Sequence, residues 1–379
     1  MSDQKISKRK VFYICGFDPR ASRYYHNLYK KESEKWSTLT GKTLEVSRRR
    51  NHGEFRCEWQ VKNQDDGVDC DYSYLIWDDI IRRHWKKNPL GLIGSAVLTY
   101  LGLIRHINWS FARTLSSGPI KALLYPLFSF LLTVLATVLV AGIASLILPI
   151  FLSGVALDLV FYGVLLISVA ALGYWLFIKV QSLWLLQLFI YHYQLFSGKP
   201  GAIGQRLDVF ADIIVDILQK EADEYDEILL VGHSHGTVMA PILASRVAER
   251  LGGYLPEKFR LLTLGNLMPF LTGLNKESTF RNDIVRLSRS SFTWLDVSSP
   301  ADGVCFALTD PFFPLCEENQ ADLHLLSPRF HKFYQKERYA RLKKDRLTLH
   351  FQYLCCGDKL SPVNYISMTA GNKSLRSIL

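Results

Sequence analysis

One stretch of 57 residues, 122–178, carries a single charged side chain, that of Asp158. A transmembrane helix needs about 20 apolar residues to cross roughly 30 Å of hydrocarbon, and one helix over the whole stretch would be about 85 Å long. The stretch must therefore turn back, and the proline, serine and glycine residues within 149–154 indicate where. The sequence predicts a transmembrane helical hairpin with spans at 122–148 and 157–178.

Positive charge beside the hairpin predicts its orientation, because Lys and Arg in short flanking segments are retained in the cytoplasm. Residues 80–121 contain seven Lys and Arg but no Asp or Glu, and Lys179 follows the second span. The turn between the spans has no cation. We therefore expect an integral membrane protein with two spans whose soluble part and both termini are cytoplasmic. Seven cysteines without zinc-ligand spacing fit reduced thiols in that compartment.

The remaining composition agrees with a bilayer partner. Residues 90–107 are apolar over much of a helical surface, with tryptophan near both ends, as in segments that lie in the membrane interface. The net charge of +10 fits cations beside a membrane, and no nucleic-acid-binding motif is recognisable, so no nucleic acid partner is expected.

The soluble segments alternate between strand and helix patterns. Strands are predicted at 10–15, 43–47, 54–61, 227–231, 260–264 and 292–297, and helices at 21–37, 77–85, 206–222 and 237–251. This alternation is typical of an α/β fold with a doubly wound, mostly parallel sheet. We therefore divide the chain into four parts: residues 1–89 and 194–379 form the soluble α/β domain, 90–121 a basic amphipathic juxtamembrane segment, and 122–180 the hairpin.

A G-x-S-x-G pentapeptide, residues 232–236, joins the predicted strand 227–231 to the predicted helix 237–251. At a tight strand-to-helix turn the central serine projects its hydroxyl above the sheet, and side chains in place of the glycines would collide with neighbouring backbone. This context predicts that Ser234 is a nucleophile.

On the pentapeptide and the alternation around it, the chain resembles the α/β-hydrolase superfamily, and more narrowly its lipase-like serine esterases. The chain departs from that family in one respect, because its hairpin lies upstream of the nucleophile strand instead of in the usual cap position. The resemblance implies a catalytic triad in the chain order serine, acid, histidine.

The acid and the base each have two candidates. Asp302, followed by Gly and Val just past the predicted strand 292–297, is similar to the D-x-V of many lipases, and Asp296 is the alternative acid. His350 begins an H-x-x-Y sequence similar to that of some lipases, and His331 is the alternative base.

The resemblance also implies an oxyanion hole of two backbone N–H groups. His235, the residue after the nucleophile, supplies one candidate, and Phe17, in the loop after the first strand, supplies the other. His233 and His235 flank Ser234 too closely to act as its base, and no metal site or other cofactor is expected.

These features predict a membrane-anchored serine hydrolase that cleaves a carboxylic ester, with a lipid or other long-acyl substrate, through an acyl-enzyme. A different class also remains open, in which the hydrolase fold is a catalytically inactive membrane scaffold or interaction protein.

Overall fold

A computed structural model describes residues 5–175, 181–198 and 201–378. Within these residues nine strands form one sheet. The strands are β1 (Lys8–Ile14), β2 (Leu44–Val46), β3 (Arg50–Asn51), β4 (Arg56–Asn63), β5 (Val68–Leu75), β6 (Glu227–His233), β7 (Phe259–Leu264), β8 (Thr293–Val297) and β9 (Asp322–Leu326).

The sheet is mixed but mostly parallel. Its strand order is β2-β4-β5-β1-β6-β7-β8-β9, with β3 paired to β4. Pairing is parallel from β5 to β9, whereas β4 pairs antiparallel with β2, β3 and β5. The α/β class and the mostly parallel sheet predicted from the sequence are confirmed.

Fifteen α-helices lie in the described residues. They are α1 (Ser22–Thr40), α2 (Asp78–His84), α3 (Pro89–His106), α4 (Trp109–Ala112), α5 (Ser117–Phe151), α6 (Gly154–Gly173), α7 (Ser182–Ser197), α8 (Gly201–Lys220), α9 (Gly236–Arg250), α10 (Pro269–Thr272), α11 (Thr279–Leu287), α12 (Phe330–Phe333), α13 (Lys336–Lys344), α14 (Arg346–His350) and α15 (Tyr365–Ala370).

The centre of the sheet is the core of the soluble part. Every residue of β6 and of β7 is buried, as expected for the continuous apolar runs of parallel strands covered on both faces. One buried ion pair crosses the β1–β6 pairing, with Arg9 Nε 2.8 Å from Glu227 Oε2. These strands fix the positions of the loops at their carboxyl ends, where ligands bind in open α/β sheets.

Two helices, α5 and α6, are long and apolar enough to cross a membrane. The structure describes every residue of α6, and none of their side chains is buried. Few side chains of α5 are buried. In water this would expose a very large apolar surface. The two helices pack on each other and connect through Leu152 and Ser153 alone.

The helix bounds differ slightly from the predicted spans. α5 begins at Ser117 and continues through Pro149 to Phe151, and α6 begins at Gly154. Gly154 has a φ of 57°, a left-handed conformation that glycine adopts without steric cost. The predicted end of the second span at Ile178, with Lys179, lies outside the described residues.

Candidate functional site

Ser234 occupies the turn between β6 and α9 with a φ of 57°, which is an uncommon conformation for a residue with a side chain. Positions 232 and 236, on either side of the turn, must be glycines for steric reasons. A Cβ at Gly232 would lie 2.2 Å from the carbonyl oxygen of Gly236, and a Cβ at Gly236 would lie 2.2 Å from the carbonyl oxygen of Ile14. The pentapeptide thus packs directly on β1, and strain of this kind is concentrated at functional sites.

The loop that follows β1 lies against Ser234. A Cβ at Gly16 would be 2.7 Å from Ser234 Cβ and 3.0 Å from its Oγ. Phe17, the next residue, is buried and stacks on Trp85. Neither Phe17 N–H nor His235 N–H donates a hydrogen bond within the described part of the chain. Both predicted oxyanion-hole residues therefore lie beside the serine with unengaged backbone donors.

Asp302 and His350 form a buried hydrogen-bonded pair. His350 Nδ1 lies 2.6 Å from Asp302 Oδ2, and both side chains are almost fully inaccessible to solvent. Asp302 lies in the loop after β8, whereas His350 ends α14, so tertiary folding joins them across 48 positions of sequence.

Two further donors hold the Asp302 carboxylate. Val304 N–H donates to Oδ1 at 3.0 Å, and the Tyr353 hydroxyl donates to Oδ2 at 3.1 Å. Burial acts to raise the pKa of Asp302, but the adjacent His350 and the hydrogen bonds outweigh burial and hold that pKa below its usual value. Asp302 is therefore an ionised acceptor positioned to orient the imidazole.

The His350 imidazole lies close to the serine turn. A Cβ at Gly265 would lie 3.1 Å from His350 Cε1, and the preceding carbonyl of Leu264 accepts the Ser234 N–H at 2.9 Å. The His350 ring is also 5.2 Å from that of His233, centroid to centroid.

His350 Nε2 is buried and, among the described residues, has no hydrogen-bond partner. Ser234 Oγ is therefore not hydrogen-bonded to it in this structure. In unliganded enzymes such contacts are often long and tighten only when the substrate is bound.

The alternative acid and base lie in other surroundings. Asp296, in β8, accepts hydrogen bonds from Thr263 Oγ1 at 2.7 Å and Ser298 Oγ at 2.8 Å, and burial raises its pKa to about 7. His331 is exposed on α12. The structure brings neither of these two residues into hydrogen-bonding contact with His350 or Ser234.

The two histidines that flank Ser234 make contacts other than those of a catalytic base. His233 Nε2 contacts the carbonyl oxygen of His350 at 3.1 Å, and His235 Nδ1 lies 3.3 Å from His192 Nδ1 in an aromatic cluster. Burial lowers the pKa of both His233 and His235 to about 3. Both are therefore neutral packing residues at physiological pH.

Sequence reasoning did not assign two contributors to the site. Tyr353 holds Asp302 and accepts the Ser299 N–H at 2.9 Å, and the H-x-x-Y spacing after His350 was the available signal. His192, on α7, contacts His235 beside the serine turn, and no local sequence pattern indicated it.

Comparison with known proteins found no matching family model, no similar curated protein and no similar solved structure.

Proposed function

We propose that this chain is a membrane-anchored serine hydrolase of the α/β-hydrolase type that cleaves a carboxylic ester. The observation that carries the proposal is the buried His350–Asp302 pair, 2.6 Å between Nδ1 and Oδ2, beside a serine held at a positive φ. A nucleophile, a base and an orienting acid are the groups that acyl transfer through a serine requires.

In the proposed mechanism Ser234 Oγ attacks the ester carbonyl carbon while its proton passes to His350 Nε2. Asp302 fixes the imidazole tautomer and stabilises the imidazolium that forms. The carbon–oxygen ester bond then breaks, and the alcohol leaves with the proton from His350. Water, deprotonated by the same nitrogen, then attacks the acyl carbon, and the acid leaves as His350 returns the proton to Ser234 Oγ.

The carbonyl oxygen acquires negative charge in each of these steps. The backbone N–H groups of Phe17 and His235 are the proposed donors to it. His235 follows Ser234 in the chain, Phe17 follows Gly16, which lies against Ser234, and neither N–H has another acceptor within the described residues. Donors fixed before the reaction cost no reorganisation as the charge develops.

The α5–α6 hairpin is the proposed anchor, with the catalytic part in the cytoplasm. Anchoring brings the site within reach of esters that partition into the bilayer, which favours a lipid or other long-acyl substrate. In sealed membrane vesicles with the cytoplasmic face outward, a cysteine introduced as Ser153→Cys should react with a membrane-impermeant maleimide only after detergent is added. Reaction of that cysteine in the intact vesicles would reverse the proposed orientation.

Hydrolysis of chromogenic acyl esters by the full chain in detergent tests the activity. We expect a burst of alcohol release, because the acyl-enzyme forms before it is hydrolysed. The rate of this burst should rise with acyl-chain length, and the burst should be absent in Ser234→Ala. Intact Ser234→Ala protein, verified by its thermal unfolding, is the matched control. No hydrolysis of any chain length by folded wild-type protein would favour the inactive scaffold instead.

A further inference from the structure

A cavity of about 470 Å³ lies where the first turns of the hairpin meet the soluble part. That volume falls within the range of small-molecule sites. Its walls come from the start of α5, the start of α7, the loop after Asp302, and α14 with the residues before it. The lining residues are Lys121, Ala122, Tyr125, Gln181, Trp184, Leu185, Gly303, Val304, Lys344, Asp345, Arg346 and Leu347.

This cavity adjoins the candidate catalytic site. Gly303 and Val304 directly follow Asp302, and Arg346 shares the five-residue helix α14 with His350. The hairpin is part of the same arrangement, because a Cβ at Gly118 in α5 would lie 3.2 Å from Gly303 Cα.

A second cavity, of about 200 Å³, adjoins the first. Trp184 and Leu347 line both cavities, and the second also includes Asp18 and Phe351. Those two residues are the chain neighbours of Phe17 and His350. The walls of the two cavities therefore extend from α5 to residues that are next in sequence to Phe17 and His350.

The larger cavity carries net positive charge, from three cations and one carboxylate. Lys121, Lys344 and Arg346 are exposed and, among the described residues, none of them forms a salt bridge. The one acid in the wall, Asp345, instead accepts hydrogen bonds from Thr348 N at 3.0 Å and Thr348 Oγ1 at 2.6 Å.

Of the three cations, Arg346 is the one that lies on the same short helix as His350. Its guanidinium covers Gly303, since a Cβ at Gly303 would lie 2.2 Å from Arg346 Nη1. The planar guanidinium pairs with phosphate through two parallel N–H donors, which a lysine ammonium cannot do.

We propose that this cavity binds the phosphate of an anionic acyl-ester lipid while the ester lies at Ser234. The inference rests on the proposed hydrolase function and specifies its substrate class. Lys121 begins the apolar part of α5, so the three cations lie at headgroup depth if the hairpin spans the bilayer. A phosphate reaches them there without its acyl chain leaving the membrane.

The test compares two substrates with the same ester, palmitoyl monoacylglycerol and its 3-phosphate, using the full chain in mixed micelles. Wild-type kcat/KM should be higher for the phosphorylated ester. In Arg346→Gln the ratio of the two kcat/KM values should fall about ten- to hundred-fold, as expected when charge-assisted hydrogen bonds are lost. Arg341→Gln, which removes an exposed cation of α13 outside the cavity, should keep the wild-type ratio.

Three outcomes with these two esters would overturn the proposal. They are equal wild-type kcat/KM for both esters, an Arg346→Gln ratio that equals the wild-type ratio, and a ratio reduced as strongly by Arg341→Gln. Faster turnover of soluble palmitoyl-coenzyme A than of the phosphorylated lipid would also overturn it, because the phosphate would then come from a soluble acyl donor.

A binding measurement separates this inference from the proposed catalysis. Ser234→Ala is titrated with hexadecyl glycerol 3-phosphate, a non-hydrolysable ether analogue, and with hexadecyl glycerol. Tighter binding of the phosphorylated ether, weakened about ten-fold or more by Arg346→Gln, would support the site even if no ester were hydrolysed. Equal binding of the two ethers would contradict the site even if Ser234 proved to be a nucleophile.

Discussion

Asp302→Asn should slow ester hydrolysis by about 10,000-fold, the loss seen when the acid of a Ser-His-Asp triad becomes an amide. The structure gives the reason. The Asp302 carboxylate accepts from Val304 N–H on one oxygen and from His350 and Tyr353 on the other. An asparagine offers one oxygen, so its amide nitrogen must face one of those two sides.

The orientation of that amide decides the outcome. Facing Val304, it would oppose the buried Val304 N–H donor, at a cost of about 1–3 kcal/mol. Facing His350, it donates to Nδ1 and leaves the imidazole proton on Nε2, where the proton of Ser234 must go. We expect the second arrangement, and a 10,000-fold loss raises the barrier by about 5.4 kcal/mol, at 1.36 kcal/mol per tenfold.

The assay is kcat/KM for a chromogenic butyrate ester, with thermal unfolding to verify the fold. Asp296→Asn is the matched control. Because burial raises the pKa of Asp296 to about 7, its carboxyl group is already partly protonated at neutral pH. Its substitution should change kcat/KM by less than about fivefold, or about 1 kcal/mol. A near-normal rate in Asp302→Asn, or equal losses in the two variants, would refute this reasoning.

Three further predictions concern stability and access to the serine. Burial lowers the pKa of His235 from 6.5 to about 3, so the unfolded chain binds more protons between those pH values and stability should fall as pH drops, by up to about 1.4 kcal/mol per unit. Thermal unfolding from pH 7 to pH 4 measures this, and His235→Gln should flatten the slope; an unchanged slope contradicts it. Gly16→Ala places a Cβ 2.7 Å from Ser234 Cβ and should slow ester hydrolysis about 100-fold with the fold retained, whereas a wild-type rate would count against the assigned geometry. Glu227→Gln leaves the buried Arg9 guanidinium unpaired and should reduce the free energy of unfolding by about 3–5 kcal/mol in denaturant titration, and a loss below about 1 kcal/mol would be inconsistent with that burial.

Local sequence patterns were sufficient to predict the central strands of the sheet. The apolar runs of β1, β6 and β7 are recognisable because parallel strands are buried on both faces. β5 was not predicted, since its sequence VDCDYSYL alternates acids with residues whose burial depends on pairing with both β1 and β4. β9 was missed for a related reason, because it lies at the sheet edge and is only partly buried.

In the candidate site too, local sequence predicts some residues and not others. The position of Ser234 could be predicted from the local sequence, because the tight strand-to-helix turn has room only for glycine at positions 232 and 236. The choice between Asp302 and Asp296 could not follow from sequence, since both lie near the end of β8. The difference is in the partners, a histidine 48 positions away for Asp302 and the neighbouring hydroxyls for Asp296.

Labelling with a fluorophosphonate tests most directly whether His350 activates Ser234. The full chain in detergent is labelled as wild type, as Ser234→Ala and as His350→Ala, and the modified peptide is identified by mass spectrometry. We predict one label, on Ser234, that is absent from both variants while their thermal unfolding stays cooperative. A folded wild-type protein that takes no label, or a label that persists in His350→Ala, would contradict the proposed catalytic site.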